Sequence, residues 1–312
     1  MSYDVEALRR TEFPRLLAED IIYFNNASTG PLPRRTEETV ADWARHRAVP
    51  HRISQEMEFG TLEVGRQLIA ELIGAHESEI AMATNTTFGL NLAAFSLPLE
   101  RGDVVLSPDR EFPANVYPWM QLAARRGIEY RRLPCDDGPL DVARLSRELE
   151  DDRVRAVTVS WVQFASGARV DLAALGRLCR ERGVYFVVDA IQGLGPLTLD
   201  LRSSPVDILA CGAQKWLLSP WGAGFVYVRR DLVQQLQPHD VSWLAVRGSD
   251  DFTRLTDYDL TWRDDARKFE FITLPYQEFA AMNATLELIQ ELGAANVAAY
   301  SQSLADRIVE WA

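Results

Sequence analysis

The chain has 312 residues, enough for roughly two average domains and for a sizeable core without disulfide staples. Hydrophobic residues make up 47% and charged residues 25%, the values of a folded globular protein, and no apolar run approaches the about 20 residues that a membrane-crossing helix needs. With 45 acidic against 33 basic side chains the net charge is −12, and without an arginine-rich patch to offset it, phosphate backbones are excluded as partners.

In chain order, the first residues hold no basic stretch followed by an apolar one, so no secretory signal is read and a cytoplasmic location is expected. Asn26 to Gly30, before Pro31, reads as a Gly-Pro turn or as part of a site. Thr36 to Arg47 and Gln55 to Gly74 read as two amphipathic helices joined around Pro50. From about Glu77 to Arg230, short β-branched runs alternate with helical patterns, the signature of a parallel sheet with crossover helices. Buried strands are expected at Val104 to Leu106, Ala156 to Val159, Val184 to Val188, Ile208 to Ala210 and Phe225 to Val228. The helices between them are expected at Ala114 to Arg126, Val142 to Leu149 and Leu172 to Arg182, the last capped by Gly183. Asp231 to Lys268 is polar and irregular. Tyr276 to Leu292 is a long helical pattern ending at Gly293, and a further helix starts near Asn296 and runs to the last residue. No internal repeat or low-complexity tract is present.

Ligands of open α/β sheets sit beyond the carboxyl ends of the strands, so the residues just after each apolar run carry the information. Val184 to Val188 delivers Asp189, followed by Ala190-Ile191-Gln192. A carboxylate there is either a helix cap or needs a cationic or hydrogen-bonding partner. The next strand runs through Cys211 into Gly212-Ala213-Gln214-Lys215-Trp216. The chain has only two lysines, Lys215 and Lys268. Apolar neighbours would desolvate Lys215 and depress its pKa, as in lysines that form Schiff bases. Lys268, set among charges, reads as an ordinary surface residue. Thr86 and Thr87 open a helix after a short strand, as a phosphate cradle or as simple caps. Cys135, Cys179 and Cys211 fit neither a disulfide framework nor a metal site, and read as small buried hydrophobes. No GxGxxG follows a strand, which excludes a nicotinamide-binding Rossmann enzyme.

A strand-end Asp189 with Gln192 three residues later, Lys215 after the next strand and Thr86-Thr87 at a helix start together resemble the pyridoxal phosphate enzymes of the class V aminotransferase family. That family includes cysteine desulfurases, kynureninase and isopenicillin N epimerase-like proteins. The resemblance spans Tyr23 to Leu292 in six segments of the expected order. It implies a fold-type I α/β architecture, a mainly parallel sheet flanked by helices. An N-terminal segment on the substrate side (1–35), a large cofactor domain (36–275) and a connecting helix with the start of a truncated small domain (276–312) are its implied divisions.

The resemblance further implies that Lys215 forms the internal aldimine and serves as the acid/base group, and that Asp189 pairs with the pyridinium nitrogen. Thr86, Thr87 and Gln214 hold the phosphate, Phe112 of Phe112-Pro113 stacks on the ring, and Gln163 and Gln192 bind its ring-oxygen side. Desulfurases place a histidine in this segment, where this chain has Phe112-Pro113, and the four histidines, His46, His51, His76 and His239, lie elsewhere. A small amino acid or amine is the implied substrate and a homodimer the implied assembly, with a residue of Thr273 to Tyr276 reaching the neighbouring phosphate. No metal is implied. Epimerase or lyase chemistry is expected, with a cysteine desulfurase or selenocysteine lyase-like activity, or a truncated non-catalytic scaffold, as alternatives.

Overall fold

In the computed structural model, which describes residues 3–135 and 138–312, seven strands form one mixed sheet. They are β1 (Ile80–Ala83), β2 (Val104–Pro108), β3 (Glu129–Leu133), β4 (Val154–Ser160), β5 (Tyr185–Asp189), β6 (Ile208–Gly212) and β7 (Gly224–Val228). Their spatial order is β1-β7-β6-β5-β4-β2-β3. The five strands from β3 to β6 pair in parallel, whereas β7 runs antiparallel to both β6 and β1. The expected α/β class, with a mainly parallel sheet, is the one the chain adopts.

The helices are α1 (Val5–Glu12), α2 (Pro14–Ala18), α3 (Arg34–Ala48), α4 (Gln55–Ile73), α5 (Thr86–Ser96), α6 (Tyr117–Arg126), α7 (Val142–Glu148), α8 (Leu172–Glu181), α9 (Arg230–Gln235), α10 (Tyr276–Leu292) and α11 (Ala294–Trp311). Local chemistry sets their ends. Asn85 caps α5 by accepting the Phe88 amide at 2.9 Å, and Asp171 caps α8 through the Ala174 amide. The helix expected from Ala114 begins as a short 3-10 turn, Pro113–Asn115, and becomes α6 only at Tyr117, where Pro118 fits the first turn. Phe269–Thr273 is not a strand, since Ala266–Phe269 is a 3-10 turn and the following residues join no ladder.

Alternate strand residues feed two cores. On one face Met82, Val157, Val188, Leu209 and Phe225 pack against α4, α8 and α10. On the other, Ala81, Ala156, Val187, Ala210 and Val226 pack against α5, α6 and α9. Leu90 of α5 and Leu97 at its C-cap are fully buried, each contributing about 1.5–3 kcal/mol relative to exposure. This second face also takes Ser160 and Asp189, by the period of two along β4 and β5. The carboxyl ends of β4, β5 and β6 therefore open beside the N-terminus of α5.

Candidate active site

Lys215 lies in the loop after β6, half-buried, with its ammonium 5.8 Å from the centre of the Phe112 ring. Burial lowers its pKa, opposed by the negative charge of Asp189. Asp189, on the adjacent strand, is buried, and Oδ1 accepts the Ile191 amide at 3.0 Å. Burial pushes this carboxyl up to about 7, the Ile191 amide pulls it down, Glu111 adds to the rise and Lys215 opposes it. Both members of the pair are thus driven toward their neutral forms by loss of water. Thr86 Oγ1 accepts the Gly212 amide at 2.8 Å, which ties the first residue of α5 to the end of β6. α5 reaches this close because Gly89 has no side chain: a Cβ there would stand 2.6 Å from the Cβ of Ala210.

Phe112 ends the loop after β2 and meets Phe164 edge-on at 5.2 Å. Gln163 is buried beside it, its Oε1 accepting the Ser166 hydroxyl at 2.8 Å. Gln214 folds over Gly212 close to Thr86, where a Cβ on that glycine would lie 2.6 Å from Gln214 Oε1. Thr87 shares a shallow cavity with Phe112 and Tyr117. Gln192 stands apart from these groups in its bonding: Nε2 donates to the Ala27 carbonyl at 3.0 Å and Oε1 accepts from Trp216 Nε1 at 2.8 Å. The N-terminal segment is held against the lysine loop by the Gly30 amide, which donates to the Gln214 carbonyl at 2.9 Å. A Cβ on Gly30 would fall 2.1 Å from the Lys215 carbonyl oxygen, so only glycine permits this approach.

The structure thus gathers Lys215, Asp189, Thr86, Thr87, Phe112, Gln163 and Gln214 at one end of the sheet, with Gln192 at its N-terminal margin. His76 caps a 3-10 turn at Glu77–Glu79, and His239 stacks on Phe95 at 5.0 Å. Cys135, Cys179 and Cys211 are buried, and burial pushes each thiol pKa up. Lys268 corrects the sequence reading. It is only 3% exposed, its ammonium 5.2 Å from the Phe269 ring centre, because the 3-10 turn folds this charged stretch back against the sheet. Glu111, missed from the sequence, is a second buried acid, set in the loop three residues after β2. A cavity of about 930 Å³ lies elsewhere, between the N-terminal segment and α10 and α11, and meets the lysine loop through Trp216 and Leu218. Its lining is mostly apolar, so the strand-end cluster, with its paired acid and amine, is the better candidate for chemistry.

Residues 22–311 match the family model described as Aminotransferase class-V. A probable cysteine desulfurase of Pyrococcus abyssi is 29% identical over 303 residues, covering 94% of this chain and 73% of that protein. The isopenicillin N epimerase of Streptomyces clavuligerus is 34% identical over 237 residues, covering 73% of this chain and 58% of that protein. The solved structure of C-DES with glycine covalently linked to its PLP cofactor superposes with a TM-score of 0.85 at 26% identity, over 96% of this chain and 77% of that one. An apo cysteine desulfurase from Thermococcus onnurineus NA1, at 23% identity, shares the fold with a TM-score of 0.85 over 99% of this chain and 76% of its own. With the model match spanning nearly all of its length and its sheet in the type I arrangement, the chain belongs to the class-V aminotransferase family.

Proposed function

We propose that this chain is a pyridoxal phosphate enzyme acting on a small amino acid or amine, with Lys215 as its catalytic lysine. The observation that carries the reading is a half-buried amine standing over an aromatic face, with a buried carboxylate on the neighbouring strand. The donor set suits such a cofactor. The first amides of α5 lie outside its hydrogen-bond ladder at the positive end of the helix dipole, so Thr86 and Thr87, with Gln214 alongside, would hold the phosphate. Phe112 would lie against the ring, and Asp189 would hold a proton on the ring nitrogen. Gln163 would face the ring oxygen; Gln192 reaches that side only by releasing Ala27 or Trp216.

When bound, the cofactor supplies an electron-accepting ring that weakens a bond at the substrate α-carbon. Desolvation keeps a larger share of Lys215 Nζ as free amine, ready to take a proton from that carbon and to return it there or to a leaving group. Phe112, 5.8 Å from Nζ, meets Phe164 edge-on beside it.

An epimerase or lyase reaction at the α- and β-carbons agrees with the site's own residues. Among the described residues the cysteines are buried with raised thiol pKa values, and a phenylalanine occupies the stacking position. The second reading is a cysteine desulfurase, favoured by the names of the Pyrococcus abyssi and Haloferax volcanii relatives. A homodimer is part of the proposal, and sedimentation at micromolar concentration tests it.

The reading is tested by incubating the protein with pyridoxal phosphate, desalting it and recording the visible spectrum, with Lys215→Ala alongside. Wild type is expected to retain an absorption band that the variant lacks, and borohydride followed by peptide mass analysis to place the label on Lys215. Retention of no band by wild type would overturn the enzyme reading in favour of a non-catalytic scaffold, and an equal band in the variant would overturn the role of Lys215. Release of sulfur or of a keto acid from a panel of amino acids then separates desulfurase, lyase and epimerase.

A further inference from the structure

Asp189 has a second buried carboxylate for a neighbour. Glu111 follows β2 immediately before Phe112 and is 8% exposed. Its Oε1 accepts the Ser160 amide at 2.9 Å, and its Oε2 accepts Asn115 Nδ2 at 2.9 Å together with the Ser160 hydroxyl. Asn115 Oδ1 in turn accepts the Thr158 hydroxyl at 2.6 Å and Trp119 Nε1 at 3.4 Å. Ser160 is the register partner of Asp189 between β4 and β5, and paired residues of parallel strands point to the same face. One serine therefore separates the two acids, and the network joins β2, β4 and α6 beneath the ring site.

Burial raises the pKa of Glu111, and the Ser160 hydroxyl, Asn115 Nδ2 and the Ser160 amide, all donating to its carboxylate, oppose that rise. The titratable groups facing the pair are Lys215 and Cys211 from the end of β6, Tyr130 from β3, and Cys135 beyond β3. Of these only Lys215 is a cation, and it opposes the rise that Glu111 adds to the Asp189 pKa.

We propose that Glu111 is a positioning residue for the cofactor ring: through Ser160 it fixes the strand end that presents Asp189, and its charge makes Asp189 hold the ring-nitrogen proton more tightly. The proposal rests on the pyridoxal phosphate reading. It is tested on wild type and Glu111→Gln loaded with cofactor labelled with ¹⁵N in the ring, following the ring nitrogen shift against pH. Glu111→Gln is expected to retain cofactor but to lose the ring proton about one pH unit earlier, a tenfold weaker hold. Asp189→Asn provides the reference for a ring without its acid. An unchanged midpoint in Glu111→Gln overturns the proposal and leaves the cofactor reading intact. Failure of wild type to bind overturns both. If Glu111→Gln does not fold or load, ¹³C-carboxyl titration of the unloaded wild type decides. A second inflection of the Asp189 signal where Glu111 titrates supports the coupling, and a single inflection overturns it.

Discussion

At Asp189 a single side chain links stability to pH. Its carboxyl loses a proton near 3.8 in the unfolded chain and at about 7 in the folded one. Between those values the folded state binds more protons, so the stability of the cofactor-free protein falls as pH rises and levels off above 7. The full effect is on the order of 4 kcal/mol for a completely buried group. Asp189→Asn removes this dependence, so thermal unfolding of the cofactor-free proteins is expected to show wild type losing ground to the variant from pH 5 to pH 7. Parallel melting curves would rule out a raised carboxyl pKa. Asp189 was legible in the sequence because it ends an apolar run, and Lys215 because it is one of only two lysines and sits in an apolar stretch just after β6. Glu111 lies three residues past the end of β2, behind Asp109 and Arg110, so no strand-end signal marked it. Lys268 misled because its charged neighbours suggested a surface that the 3-10 turn folds inward.

At the scale of elements, the site depends on how closely α5 approaches the sheet. Gly89 faces Ala210 of β6 and Val226 of β7, and a Cβ would lie 2.6 Å and 2.7 Å from their side chains. Gly89→Val is expected to lift the start of α5, destabilise the fold by about 1–3 kcal/mol in urea unfolding and weaken cofactor retention by moving Thr86 away from Gly212. The neighbouring cap behaves differently: Asn85→Ala is expected to cost about 1 kcal/mol in the same measurement without displacing the helix. The strands that form the parallel centre were readable as apolar runs because both faces are buried. β3, Glu-Tyr-Arg-Arg-Leu, was not, since an edge strand carries charge: Arg131 pairs with Glu129 at 2.9 Å and with Asp151 at 3.0 Å. Nor does periodicity say that β7 runs antiparallel to its neighbours, because strand direction is set by the connections.

Across the whole molecule, one buried ion pair joins distant parts of the chain. Arg66 of α4 donates through Nε at 3.0 Å and through Nη2 at 2.6 Å and 2.8 Å to Glu270, whose Oε1 also accepts the Met82 amide of β1 at 2.9 Å. It ties the segment after Phe269 to the first strand and the long helix beneath it. Glu270→Ala leaves buried Arg66 with Glu63, 3.0 Å from Nη1, but without the acid that faces its Nε and Nη2, and is expected to cost about 3 kcal/mol, measured by urea unfolding. Replacing both, Arg66→Met with Glu270→Leu, is expected to restore most of that loss, because an apolar pair needs no desolvation.

By itself the sequence determined the α/β class and the buried centre of the sheet, and it singled out the amine, the acid and the helix start of the proposed site. These follow from apolar runs and from the few residue types with suitable chemistry placed directly after them. Only the tertiary structure decided which groups meet: Phe112 beneath Lys215, Gln192 committed to Ala27 and Trp216, Lys268 turned inward, and Glu111 joined to Asp189 through Ser160. Such contacts join residues from separate strands and loops, and their geometry depends on strand order and register, which a local pattern of hydrophobicity does not encode.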